Sequence, residues 1–316
     1  MKLMIGAISL SGSKYKSLHE FAKTFFDEIV LNPHGRQLTE DEVISLIKDC
    51  DAVVCGTERY TKRVLDEAPC LKVISKHGVG VDNIDLDGAK ERGIVVCNTP
   101  GANAQAVAET AVALILDSLR KIPQAYMSVV TGNWKRPEGH LIQGKTLGIL
   151  GMGNIGKTII RSLEDFGVSF MAYDPFFDED FAVQHNVKRA TIDEILREAD
   201  IISLHVPSTD VTRRMINRET LSKMKNSAIL INTARGDLID EEALFDALKN
   251  GVIAGAALDV LDEEPSYDNP LFQLDNIIIT PHLAGNTAET TYQMGKRAIE
   301  NAIAVLNDGT PKMRVC

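Results

Sequence analysis

No stretch of this 316-residue sequence is apolar for long enough to reach a membrane. The opening MKLMIGAISL is apolar for only a few residues before Ser11 and Lys14, too short for the core of a secretory leader or for a bilayer span. Cysteine is scarce and poorly placed: Cys50, Cys55, Cys70, Cys97 and Cys316 are odd in number and form no CxxC pair. That points away from a disulfide framework and from a zinc site, so no metal is expected and the cytoplasm is the expected compartment. Positive charge is short as well, with 34 Lys and Arg against 44 Asp and Glu and a formal net charge of −10. Binding a nucleic-acid backbone draws on many cationic contacts, so no nucleic-acid partner and no membrane are expected. A small anion held by a few local groups remains compatible. Low-complexity runs and short repeats are also missing. What is present, 44% hydrophobic and 25% charged residues over 316 positions, suffices for two ordinary cores.

Short β-branched runs alternate with longer amphipathic stretches, the pattern of βα units on a parallel sheet, and the expected class is α/β. In the first hundred residues strands are expected at Leu3–Ile8, Ala52–Cys55, Lys72–Ser75 and Ile94–Cys97. Helical spacing covers Lys16–Ile29, Thr39–Lys48, Thr61–Glu67 and Asp85–Glu91, with a Thr39-x-x-Glu42 capping box opening the second. An Ala-rich segment from Gly101 to Leu119 reads as a buried helix. A second series of strands follows at Thr146–Leu150, Ser169–Tyr173, Ile201–Leu204, Ala228–Ile231, Gly255–Leu258 and Ile277–Thr280. A last helix, about Thr287–Leu306, ends near Asn307-Asp308-Gly309.

Directly after the Thr146–Leu150 strand stands Gly151-Met152-Gly153-Asn154-Ile155-Gly156, and helical spacing follows over Lys157–Phe166. A bare GxGxxG is weak, but here the strand and helix flank it. The first glycine permits the tight turn, the second lets a pyrophosphate approach the backbone, and the third allows close helix–strand packing. Asp174 ends the next strand, 18 residues beyond Gly156, near the spacing of an acid that hydrogen-bonds ribose hydroxyls. A carboxylate there repels a 2′-phosphate, which favours NAD over NADP. The bland alternative is a glycine turn with Asp174 capping its own loop.

Three later strands each finish in a polar group. One delivers Arg235, one delivers Asp259 with Glu264 five residues on, and one delivers His282 after Pro281. In a doubly wound sheet the ligand crevice lies outside the carboxyl ends of the strands, so these groups can converge beside a cofactor. A guanidinium can grip a 2-oxo acid's carboxylate and polarise its carbonyl. A histidine supported by a carboxylate can give the proton to the new hydroxyl. Arg235, His282 and Glu264 suit those roles; singly, each also reads as an ordinary surface or loop residue.

At this point the sequence resembles the D-2-hydroxyacid dehydrogenases, and within them the phosphoglycerate dehydrogenases. The likeness runs over nearly the whole chain. It is carried by Gly78-Val79-Gly80-Val81-Asp82-Asn83-Ile84-Asp85, Asn98-Thr99-Pro100-Gly101-Ala102-Asn103, the glycine loop, His205-Val206-Pro207, Asn232-Thr233-Ala234-Arg235-Gly236, Ala257 to Val260 through Glu264-Pro265, and Pro281-His282-Leu283-Ala284-Gly285. The resemblance implies a Rossmann-type doubly wound cofactor domain, residues 100–285, inserted into a smaller flavodoxin-like α/β substrate domain made of residues 1–99 and 286–316. It implies a cleft in which Arg235, Glu264 and His282 act. It places NAD against Gly151, Gly153, Asn154, Ile155, Gly156, Asp174, His205, Val206, Pro207, Thr212, Thr233, Ala234, Arg235, Asp259, His282, Ala284 and Gly285. Family members pair through their cofactor domains, so a homodimer is expected.

For the substrate, the resemblance implies contacts from Lys76, His77, Gly78, Val79, Asn103, Arg235 and His282, and from Arg136 of a neighbouring subunit. The expected substrate is the 3-phosphoglycerate/3-phosphohydroxypyruvate pair of serine biosynthesis. The chain departs from that pattern at Thr57-Glu58, where an Arg-Ser pair is usual. A hydroxypyruvate or glyoxylate reductase would share every catalytic residue. An NAD-sensing corepressor of the same fold would carry extra docking segments, and the short tail leaves no room for a serine-responsive regulatory domain.

Overall fold

The computed structural model describes residues 1–308, 311 and 313–316. Its contacts divide the chain into two compact units, a terminal unit of Met1–Asn103 with Asn286–Cys316 and a central unit of Ala104–Gly285. The first division falls a few residues after Thr99 because Thr99 is tied back into the terminal unit: its N–H donates to the Gly78 carbonyl at 2.9 Å and its hydroxyl accepts from Gly78 N–H at 3.1 Å.

The terminal unit is built on β1 (Lys2–Ile5), β2 (Glu28–Leu31), β3 (Ala52–Cys55), β4 (Val73–Lys76) and β5 (Val95–Cys97), parallel throughout in the order β2-β1-β3-β4-β5. Side chains alternate across a strand, so both faces must be apolar when both are covered. Met4, Val53, Ile74 and Val96 feed one core. Leu3, Ile5, Val54 and Val73 feed the other, which Ala298, Ile299, Ala302 and Val305 of the helix Ala288–Asp308 complete. The expected stop of that helix at Gly309 lies outside the described residues.

The central unit holds β6 (Thr146–Leu150), β7 (Ser169–Tyr173), β8 (Val187–Arg189), β9 (Ile201–Leu204), β10 (Ile229–Asn232), β11 (Gly255–Leu258) and β12 (Ile277–Ile279). All pair in parallel in the order β12-β11-β10-β9-β6-β7-β8, the doubly wound Rossmann arrangement, whose order reverses between β6 and β9. Ala108, Ala111, Leu114 and Ile115 of the helix Ala104–Arg120 are buried on one face of this sheet.

Two expectations are corrected. The first strand stops at Ile5, and Ile8–Ser11 is a helical turn. The helix expected over Lys16–Ile29 ends at Lys23: Asp27 N–H donates to the Met1 carbonyl at 2.9 Å, which draws Glu28–Leu31 into the sheet beside β1. Backbone pairing there outcompetes continued helical spacing. Among the described residues no helix is long and apolar enough to cross a membrane.

Candidate active site

The glycine loop leaves β6 next to the point where the strand order reverses. Gly151 has φ +101°, and a Cβ there would lie 2.6 Å from the His205 carbonyl oxygen, so only glycine fits the turn. A Cβ on Gly156 would lie 2.5 Å from the Gly151 carbonyl oxygen. Gly153, in contrast, faces open space, with nothing within 4 Å of where its Cβ would stand. The helix Asn154–Leu163 starts beside it with no side-chain cap, leaving first-turn N–H groups of Asn154 and Ile155 and a positive helix end for an anion. Asp174 touches this loop directly: one oxygen accepts from Met152 N–H and the other from Phe176 N–H, both at 2.8 Å. Its carboxylate therefore caps its own turn and also lines the loop.

The neighbouring strand ends add unsatisfied polar atoms. His205 follows β9; its Nε2 lies 2.8 Å from Ser203 Oγ while Nδ1 is buried without a hydrogen-bond partner among the described residues. Burial pushes its pKa down to about 3, so the ring is neutral. Thr233 Oγ1, after β10, is likewise buried and unpartnered. Val206 is buried, and the Thr212 hydroxyl closes the following loop by donating to the Pro207 carbonyl at 2.6 Å. An open glycine, an uncapped helix start and two orphaned polar atoms on one sheet edge fit a dinucleotide. Among the described residues no cluster could hold a metal ion.

Arg235, Asp259, Glu264 and His282 lie on the same carboxyl edge. His282 has φ 51°, an uncommon backbone state for a side-chain-bearing residue. It is held there by its own N–H, which donates to the Asp259 carbonyl at 2.9 Å and to the Thr280 carbonyl at 3.0 Å. The buried Asp259 carboxylate clamps the rest of the turn, accepting from Thr280 Oγ1 at 2.6 Å, Leu283 N–H at 2.9 Å and Ala284 N–H at 2.8 Å. The turn carries His282 to Glu264, with Nδ1 2.6 Å from Oε2. The other Glu264 oxygen accepts from Leu261 N–H at 2.8 Å. The hydrogen bond to Glu264 outweighs burial and raises the His282 pKa above its ordinary value. Burial opposes ionisation of Glu264, but the His282 bond and charge, the Leu261 N–H and Arg235 together lower its pKa below the usual carboxylate value.

Two residues outside the expected set hold Arg235. The side chain of the fully buried Asn232 brackets the turn, donating to the Arg235 carbonyl at 2.8 Å and accepting from Ala234 N–H at 3.0 Å. A Cβ on Gly236 would lie 1.9 Å from the Leu261 carbonyl carbon, the tightest glycine site described. That approach sets the Arg235 turn against the backbone that supplies Glu264 with its N–H. Both residues stand inside Asn232-Thr233-Ala234-Arg235-Gly236, but nothing in residue type alone separates a turn bracket from a nucleotide contact.

The remaining expected residues divide between the units. Gly285 closes the central unit, where Arg136 is exposed on the segment after the helix Ile122–Val130. In the terminal unit, Lys76 ends β4 but is buried, its ammonium donating to the Gly56 carbonyl at 2.5 Å and to Asn83 Oδ1 at 2.7 Å. His77 Nε2 lies 3.1 Å from the Thr291 carbonyl, and burial lowers the pKa of the ring. Gly78 has φ +146°, Val79 is exposed, and Asn103 is the last residue of the first segment.

Residues 112–284, more than half of the chain, match the model of the D-isomer specific 2-hydroxyacid dehydrogenase NAD-binding domain. The chain belongs to this family. A D-2-hydroxyacid dehydrogenase's NAD-binding domain thus coincides with the central unit that carries the glycine loop, and NAD is its cofactor. Among relatives, D-3-phosphoglycerate dehydrogenase of Methanocaldococcus jannaschii is 44% identical over 92% of this chain and 56% of its own length. This chain spans about half the length of that relative. Hydroxypyruvate reductase of Thermotoga maritima is 42% identical over 84% of this chain and 88% of its own. Among solved structures, the TT0316 protein of Thermus thermophilus superposes with a TM-score of 0.88 at 36% identity over the whole of both chains.

Proposed function

We propose that the chain catalyses the NAD-dependent interconversion of a D-2-hydroxy acid and its 2-oxo acid. The observation that carries this reading is the His282–Glu264 pair at 2.6 Å, presented on the sheet edge that also carries Arg235 and the glycine loop. The glycine loop would hold NAD by its pyrophosphate, and the bound cofactor would supply the hydride chemistry. The planar guanidinium of Arg235 grips the substrate carboxylate and polarises the carbonyl. Glu264 occupies Nδ1 of His282, so Nε2 is the nitrogen that exchanges a proton with the substrate oxygen. The raised pKa favours the protonated ring that reduction needs, and Glu264 stabilises the charge.

For the substrate, the motif positions Lys76, Asn103 and Arg136 support 3-phosphoglycerate and a place in serine biosynthesis. A specific observation favours a second reading, an unphosphorylated acid such as hydroxypyruvate or glyoxylate. The Lys76 ammonium is committed to Gly56 and Asn83 inside the terminal unit, which leaves it poorly placed to pair with a phosphate. The homodimer reading is supported by the helix Ile122–Val130, which buries none of its residues while exposing Ile122, Tyr126, Met127 and Val130.

Oxidation of NADH by the purified protein against 3-phosphohydroxypyruvate, hydroxypyruvate, glyoxylate and 2-oxoglutarate tests the proposal. Turnover of at least one acid is expected. Turnover of none would return the chain to a nucleotide-sensing role.

A further inference from the structure

The loop that presents Glu264 has little packing of its own. It leaves the core after the buried Val260 and returns at the buried Leu271, and between them Asp262 to Pro265, Tyr267 and Asp268 are exposed. A segment with few buried contacts opens locally at low cost, yet Glu264 Oε2 has to stay within hydrogen-bond reach of His282 Nδ1. One side chain that the sequence did not single out holds the loop at both ends. Glu241, the first residue of the helix Glu241–Lys249, accepts from Asp262 N–H at 2.8 Å through Oε1 and from Asn269 Nδ2 at 2.6 Å through Oε2.

Each partner in this bracket is itself fixed. Asp240 caps the helix start by accepting from Ala243 N–H at 3.1 Å, and its own N–H donates to the Ile216 carbonyl at 2.8 Å, so Glu241 stands on a firm base. Asn269 Oδ1 accepts from Leu271 N–H at 3.0 Å, which leaves its amide nitrogen to face Glu241. Asp262 follows Leu261, whose N–H holds the second oxygen of Glu264. A Cβ on Gly236 would collide with the Leu261 carbonyl and the Asp262 nitrogen, so the stretch that carries Arg235 abuts the same loop end five residues before it reaches Glu241.

We propose that Glu241 is a positioning residue for proton transfer: by bracketing the loop at both ends it fixes Glu264 against His282. The inference rests on the dehydrogenase reading above. The charged groups that bear on His282 are Glu264, Asp259 and Arg235, and Glu264 is the one that the bracketed loop carries. The bracket comes apart and is rebuilt by exchange. Glu241→Gln leaves one acceptor for two donors, so N–H meets N–H at whichever end loses. Asn269→Asp sets two carboxylates face to face. Both changes together restore a donor–acceptor pair, with the net charge of the wild type.

The test is the falling limb of kcat/KM for a 2-oxo acid against pH, with the His282 imidazole titrated by NMR and NADH binding measured alongside. Each single variant is expected to move the limb and the imidazole midpoint to lower pH by about one pH unit, the scale of a charge-assisted hydrogen bond lost. Each should also lower kcat/KM at least about tenfold while NADH binding stays within about threefold. The double exchange should return the midpoint to that of the wild type. An effect of charge alone would move the two single variants in opposite directions, since one removes a carboxylate and the other adds one. A merely structural role would lower the melting temperature and leave the midpoint in place. Opposite shifts, unmoved midpoints in folded variants, or a double exchange that recovers nothing overturn the proposal. Should Glu241→Gln fail to fold, Asn269→Ser, which keeps a cap for Leu271 N–H but falls short of Glu241, decides by the same midpoint. Turnover of no 2-oxo acid by the wild type would instead sink the dehydrogenase reading, and the imidazole titration would still decide the bracket.

Discussion

His282 and Glu264 perturb one another in opposite directions, and the signs fix how activity and stability follow pH. The His282 pKa is raised, so the pair's contribution to stability is complete below the ordinary histidine value and is lost as pH rises through the folded value. The Glu264 pKa is lowered, so its contribution is present above the ordinary carboxylate value and is lost as pH falls through the folded one. Reduction needs the protonated ring, so kcat/KM for the 2-oxo acid should fall as pH rises through a value above 6.5. Glu264→Gln should move that falling limb to lower pH, and an unmoved limb would show that Glu264 does not support the imidazolium. At Asp174 the two oxygens bond Met152 and Phe176, so alanine would loosen the loop as well as remove the charge. Asp174→Asn keeps the size and one of the two acceptor oxygens without the charge. It should cut the preference for NADH over NADPH by about tenfold or more, from one charge-assisted contact and one repulsion, in parallel titrations of the two cofactors. That Arg235, Glu264 and His282 share one sheet edge was legible in the sequence, because each lies at or shortly after a strand end. The role of Asn232 was not, since its work is two hydrogen bonds inside one turn.

At the scale of elements, the site is a set of strand-end loops locked together by close backbone approach. Gly236 allows the loop after β10 to meet Leu261, whose N–H in turn fixes Glu264. Gly236→Ala should therefore push Arg235 and Glu264 apart. Displacement by about 1 Å can cost on the order of a hundredfold in rate. A fall in kcat/KM of at least tenfold in a protein that still folds is the expected result, read by steady-state kinetics beside a melting curve. Unaltered kinetics would show that the loop relaxes at no cost to the chemistry. The strands that carry the site were readable for a physical reason. Thr146–Leu150, Ser169–Tyr173, Ile201–Leu204 and Gly255–Leu258 are short apolar runs that sit largely or wholly in the core and end in a turn or a polar group, and they occupy the ranges expected. Two of the four edge strands were not readable, whereas Val95–Cys97 and Ile277–Ile279 were. Glu28–Leu31 follows a helix with no glycine or proline between them and is only half-buried, and Val187–Arg189 is three residues with two exposed. In Val187–Arg189 the apolar pattern that marks a strand is missing, while Ile29-Val30-Leu31 is apolar but partly overlaps the helical spacing expected over Lys16–Ile29.

For the whole molecule, each unit's apolar residues are largely absorbed by its own two cores, and the segment that is not absorbed identifies itself by contrast. The helix Ile122–Val130 went unread in the sequence because its apolar residues bury nothing within the chain. Tyr126 is 65% exposed, Met127 52%, Val130 55%, and Trp134 just beyond it 69%. Scattered apolar residues on a surface need no explanation, but a contiguous group on one helix and the segment after it does. A self-complementary apolar patch is what a two-fold interface requires, and pairing of the central units would cover this one. Light scattering after gel filtration should then give twice the chain mass of 34.6 kDa for the wild type. Tyr126→Asp combined with Met127→Asp places two carboxylates where the interface would have to be dry, which should shift the mass to that of one chain while far-ultraviolet circular dichroism stays unchanged. The glycine loop, Asp174 and the His282–Glu264 pair lie on other segments, so NADH binding by the monomeric variant should remain within a few-fold of wild type. A wild type of single-chain mass would remove the pairing argument, and with it the expected contribution of Arg136 to a neighbouring active site.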